Sequence, residues 1–115
     1  MIITDWNGKK VSNGSAFFAN YKKITGRAFN RDFKDPDSLD VGEFATDIYV
    51  AMRRTADRSL EQADYSIIAN EVSTEDVFDT EGKFYNFLIS TLLGKKTMEK
   101  AEAASHKETV QGSGT

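Results

Sequence analysis

The chain has 115 residues, which fits one domain and leaves no room for a second. Apolar residues make up 39 % and charged residues 29 %, with no cysteine, so disulfides, thiolate metal sites and a cysteine nucleophile are excluded. The net charge of −3 is unevenly spread: residues 1–34 hold seven basic and two acidic groups, residues 35–94 four and thirteen, and residues 95–115 four and three.

Residues 2–11 place two β-favouring pieces on either side of Asn7-Gly8, the signal for a tight hairpin of the type I′ kind. Asn13-Gly14-Ser15 breaks the chain, and Ser15 is placed to cap a helix over 16–25 whose apolar face carries Phe17, Phe18, Tyr21 and Ile24. Gly26 stands where a helix-ending glycine belongs. Phe29 and Phe33, four apart, suit one helical turn without deciding the state of 27–34. Asp35-Pro36-Asp37-Ser38 reads as a turn.

Asp40-Val41-Gly42-Glu43 has the form of a capping box and predicts a helix over 41–56, with Phe44, Ala45, Ile48, Tyr49, Met52 and Ala56 on its apolar face. Ser59-Leu60-Glu61-Gln62 predicts another start, for a helix over 60–71 that buries Leu60, Ala63, Ile67, Ile68 and Val72. Ser73-Thr74-Glu75-Asp76 opens a short turn carrying Val77 and Phe78. Asp79 or Thr80 would cap a last helix over about 81–93, with Phe84, Phe87, Leu88, Thr91 and Leu92 in register, Tyr85 and Ile89 widening the face, and Gly94 closing it. The expected fold class is mainly α, with about four short helices in a domain over 1–94 and an N-terminal β-hairpin. Residues 95–115 have little to bury and are expected to form a flexible, disordered polar tail.

The residue inventory argues against catalysis. The single histidine, His106, lies in the expected tail, where no carboxylate could orient it for a Ser-His-Asp site. Asp35, Asp37 and Asp40 approach calcium-loop spacing but lack the glycine and closing glutamate of such loops, and turn formation explains them. The paired carboxylates Glu75-Asp76 and Asp79 with Glu81 fall at helix N-termini, where the helix dipole favours them. The eight glycines are scattered and form no phosphate loop. No catalytic residue, metal or cofactor is assigned, and the chain is expected not to be an enzyme. No secretory signal or membrane span is expected, and a cytoplasmic location follows.

The charge asymmetry favours head-to-tail contact between copies, with Lys22, Lys23, Arg53 and Arg54 as the basic participants in a homo-oligomer, while Arg53-Arg54 and Arg58 are expected to pair either with acidic neighbours or with a second copy. Lys9, Lys10, Lys22, Lys23, Arg27 and Arg31, interleaved with Trp6, Phe17 and Tyr21, could form a phosphate-facing patch, but the overall acidity and the acidic block downstream oppose nucleic-acid binding.

Tyr21-Lys22-Lys23-Ile24-Thr25-Gly26-Arg27, Leu39-Asp40 through Phe44, Ile48-Tyr49-Val50-Ala51-Met52, Ala56-Asp57-Arg58-Ser59 and the final amphipathic run Phe84 to Leu93 together resemble the tail assembly chaperones of long-tailed bacteriophages, in the form common in phages of Gram-positive hosts. The resemblance covers roughly residues 15–93; its motifs are apolar positions and a few polar markers, and Gln62-Ala63-Asp64-Tyr65 departs from the Phe/Trp-rich stretch usual there. It implies a protein that coats the helical, apolar tape-measure protein in the cytoplasm of the infected cell and is absent from the finished virion. A longer, frameshifted form recruiting tail-tube subunits is implied for many such proteins, and Gly94-Lys95-Lys96 is a run that slippery codons would encode. On this reading Phe17, Phe18, Tyr21, Phe84, Tyr85 and Phe87 are the candidate partner-binding residues. The alternative is a small acidic phage or bacterial regulator that binds a host protein or mimics nucleic-acid charge through residues 35–81.

Overall fold

The computed structural model describes residues 3–79 and 81–93. The molecule is mainly helical, with an N-terminal two-stranded antiparallel hairpin. Strands β1 (Ile3–Trp6) and β2 (Lys9–Ser12) pair Thr4 with Val11, Asp5 with Lys10 and Trp6 with Lys9. Asn7 and Gly8 take φ of 48° and 78°, the two left-handed positions that a type I′ turn demands, and the Gly8 N–H donates to Asp5 Oδ1 at 2.8 Å.

Helix α1 (Ala16–Thr25) ends at Gly26, which adopts φ 76° while its N–H donates to the Lys22 carbonyl. A Cβ at Gly26 would meet no atom within 4 Å, so the glycine is there for its backbone angle and not for space. Helix α2 (Phe29–Lys34) follows, and the turn after it is the 3-10 segment Pro36–Ser38. Helix α3 (Val41–Ala56) is capped by Asp40, whose carboxylate accepts from the Glu43 N–H at 3.0 Å.

The segment predicted as one helix over 60–71 is divided. Asp57, and not Ser59, caps a 3-10 turn over Arg58–Gln62, and helix α4 (Tyr65–Ala69) begins afresh after Asp64. The division changes which side chains are buried: Ile68 faces inward, Leu60, Ala63 and Val72 are half-buried, and Ile67 is 64 % exposed instead of buried. A single continuous helix would have kept the period that groups these positions; a break at Ala63 resets the phase. Helix α5 (Thr74–Phe78) opens where a start is predicted, at Ser73–Asp76, and with a complete capping box between Ser73 and Asp76. Helix α6 (Lys83–Leu93) ends the described region. Thr80, Gly94 and the expected tail 95–115 lie outside the described residues.

The fold is built round α3. Helix α1, strand β2, the turn Arg58–Gln62 and helices α4, α5 and α6 all pack on it. Its burial therefore extends well beyond the predicted stripe: Val50, Ala51, Arg53 and Thr55 are also buried, while Ala56 is only half-buried. The polar members are satisfied locally. Thr55 Oγ1 donates to the Ala51 carbonyl at 2.7 Å and accepts from Asn20 Nδ2 at 3.0 Å, tying α1 to α3. The Asn13 amide donates to the Thr91 carbonyl, which joins the hairpin exit to α6. Trp6 packs against Phe84 and Phe87 at ring distances of 5.3 and 4.9 Å, so α6 closes over the hairpin.

Candidate functional site

The six aromatics predicted to meet a partner divide between core and surface. Phe17, Tyr21 and Phe84 are buried, which corrects their assignment to an exposed face. Tyr85 and Phe87 are half-buried, with Phe87 packed on the core. Phe18 alone of the six is open to solvent, at 49 % exposure. The cause is helical phase: Phe17 and Tyr21 are four apart and point at α3, and Phe18 lies about 100° round the helix from Phe17.

Phe18 does not stand alone. It lines a small apolar groove of about 280 Å³ with Ala19, Lys22, Ala28, Phe29 and Asn30, between α1 and α2. The buried Phe29 ring forms its floor, 5.1 Å from Phe17 and 6.0 Å from Phe18, and Phe33 packs on the outer side of Phe29 at 5.4 Å while staying 37 % exposed. Sequence spacing placed Phe29 and Phe33 together but could not tell that the second would remain on the surface.

A polar clamp holds the two walls of the groove in position. The Tyr21 hydroxyl donates to Asp32 Oδ2 at 2.6 Å, and Arg27 Nε donates to the same oxygen at 2.9 Å. Burial pushes the Asp32 carboxyl up, but the hydrogen bonds from Tyr21 and Arg27 and the charges of Arg27 and Arg31 outweigh it and hold the group below its ordinary value. The Tyr21 hydroxyl is correspondingly pushed well up, by burial first and then by its bond to Asp32. Because Asp32 belongs to α2 and Tyr21 to α1, the short second helix cannot swing away without breaking the hydrogen bonds that Tyr21 and Arg27 donate to Asp32.

A second, larger groove of about 800 Å³ is polar. Lys23, Arg27 and Arg54 face Glu43, Asp47 and Asp64 across it, with Tyr65 at one wall. The Tyr65 hydroxyl donates to Asp47 Oδ1 at 2.8 Å; burial raises the Asp47 carboxyl, only partly offset by that bond and by Arg27. Arg54 Nη2 donates to the Ala63 carbonyl at 2.9 Å, while its Nε is buried with no partner among the described residues. Equal numbers of cations and carboxylates leave this groove with no preferred ligand charge.

The four basic residues predicted for contact between copies are also separated. Lys22 and Lys23 are exposed on α1. Arg53 is buried, and its charge is taken up by Glu71, with Nε 2.7 Å from Oε1, which corrects its assignment to an intermolecular surface. Arg54 lines the polar groove. Among the described residues, the large apolar side chains left exposed are Phe18, Phe33, Val41, Ile67 and Phe78. Among those residues, too, no helix is long and apolar enough to cross a membrane, and no group of three His, Asp or Glu side chains is disposed to hold a metal. No protein-family model, curated protein or solved structure matches the chain.

Proposed function

We propose that this chain is a non-enzymatic assembly chaperone that covers an apolar, helical segment of a partner, as the tape-measure-binding proteins it resembles do. The observation that carries the reading is a preformed apolar groove lined by the exposed Phe18, with a second exposed ring, Phe33, packed on the Phe29 that forms its floor. Monomeric domains scatter single apolar side chains over their surfaces, but a pair of rings beside a concave apolar floor marks a contact site. Several copies would line a long partner, acting in the cytoplasm of an infected cell, and a longer frameshifted product would link them to tail-tube subunits.

Co-expression with a tape-measure-like helical protein is the test. The partner is expected to move from the insoluble to the soluble fraction in a complex with this chain, and a Phe18→Ser, Phe33→Ser variant that folds normally is expected not to move it. A partner equally insoluble with and without the chain would sink the proposal. Mass spectrometry of products from the native gene region checks for a longer form sharing residues up to about Gly94–Lys96.

A second reading has its own support. Nine of the thirteen carboxylates between Asp35 and Glu81 are exposed, as a charge-mimicking regulator would need. Substitution separates the two readings: mimicry is expected to be lost when the exposed carboxylates of residues 35–81 are replaced by amides, and apolar coating when Phe18 and Phe33 are replaced by Ser.

A further inference from the structure

The α1–α2 groove is apolar at its floor, has Lys22 in its lining, and lies between two helices rich in cations. Residues 16–34 carry Lys22, Lys23, Arg27, Arg31 and Lys34 against one acid, Asp32. That acid is buried and already bound by Tyr21 and Arg27. Lys22, Lys23, Arg31 and Lys34 are all exposed, so the positive field round the groove has no acidic partner in its own two helices. The small side chains of Ala19 and Ala28 open the space above Phe29.

We infer that this groove takes an acidic amphipathic helix, one apolar side chain of which packs onto the Phe18 and Phe29 rings while its flanking carboxylates meet Lys22 in the lining and the exposed cations of α2, Arg31 and Lys34. The inference rests on the proposed role as a binding protein and adds the contact site and the partner's chemistry. A helix suits the site better than an extended strand. The walls are two helices with no free sheet edge between them, and Phe33, four residues beyond Phe29, offers a second apolar contact one turn along. The clamp through Asp32 preforms the site, so little ordering is required on binding.

Two labelled helical peptides test this against the full chain by fluorescence anisotropy. Both carry Leu at i, i+3, i+4 and i+7; one has Glu on its flanks and the other Lys. The Glu peptide is expected to bind at least about tenfold more tightly, with the difference shrinking between roughly 0.05 M and 0.5 M salt. Lys22→Glu with Lys34→Glu, both at exposed positions, is expected to reverse the preference, and Phe18→Ser to weaken binding of the Glu peptide at least about fivefold. Equal binding of the two peptides, or preference for the Lys peptide, overturns the inference. So does binding that survives Phe18→Ser and is lost in Phe78→Ser, which would leave the broader binding role intact at another site. A change in oligomeric state on Phe18→Ser, with no peptide competition, would assign the groove to a second copy and overturn it as well. Failure of both peptides overturns it too, and the co-expression assay then decides separately whether the chaperone role stands.

Discussion

Glu71 holds together parts of the chain that are far apart in sequence. Its Oε1 accepts from the Tyr49 hydroxyl at 2.8 Å and from Arg53 Nε at 2.7 Å, while Arg53 Nη1 donates to the Lys10 carbonyl at 2.7 Å. One carboxylate thus joins the turn after α4 to α3, and through Arg53 to β2. The Arg53 side chain is only 9 % exposed and that of Glu71 16 %, so this pair is far from the weak surface kind. Its value lies in what its loss would leave behind. Glu71→Ala strands a buried guanidinium and is expected to cost about 3–5 kcal/mol, read as a lower urea midpoint with an unchanged slope. Glu71→Gln keeps an oxygen for Tyr49 and is expected to cost less. A Glu71→Ala loss below about 1 kcal/mol would mean that water already solvates Arg53.

Among the elements, α3 carries the structure, and its start is where a single side chain matters most. Asp40 accepts from the Glu43 N–H, so Asp40→Ala leaves an orphan donor and is expected to lower stability by about 1 kcal/mol. Ser15 occupies the equivalent position before α1, yet its backbone is helical (φ −58°, ψ −26°) and its hydroxyl caps nothing. Ser15→Ala is therefore expected to change stability by less than about 0.5 kcal/mol. Thermal melts of the two variants check the contrast. Equal losses would show that intrinsic helix preference, and not the cap, sets both values. The predicted cap at Asp40 is thus realised, while the one at Ser15 is not, because the chain enters α1 already turned by Asn13-Gly14.

At the scale of the molecule, three tyrosine–carboxylate bonds knit the helices together and set the response to acid. Burial pushes Glu71 up, but bonds from Arg53 and Tyr49 with the charges of Arg53 and Lys9 bring it below its ordinary 4.5, and Asp32 is likewise held below its ordinary 3.8. A carboxyl depressed in the folded state contributes stability above its ordinary value and loses it as pH falls through the depressed one. Asp47 runs the other way: raised by burial, it favours the fold below 3.8 and costs stability as pH rises through its raised value. Stability is therefore expected to fall below about pH 4.5 as Glu71 and Asp32 take up protons. Asp47→Asn is expected to gain stability relative to the parent at pH 7 and to lose that advantage at pH 3. Urea titrations across this range check both signs. A variant less stable than the parent at pH 7 would show that the ionised Asp47 is needed by Tyr65 or by the cations of the polar groove.

Local chemistry in the sequence determined the class of fold. Asn7-Gly8 dictates the hairpin turn, Gly26 the end of α1, Asp40 the start of α3 and Ser73 with Asp76 the start of α5, because each acts through its own backbone neighbourhood. The tertiary structure alone decided which aromatics are surface. Spacing sets Phe18 about 100° round α1 from Phe17 and Tyr21, but only packing against α3 and α2 decides that those two are buried and that Phe18 is left beside an open groove. It also decided that Arg53 is internal and Ile67 external, since the first depends on Glu71, eighteen residues away, and the second on a helix break that no single residue type announces. Burial is a property of the assembled chain: a periodic pattern names the face of an element, and the neighbours that arrive at that face determine what remains for a partner.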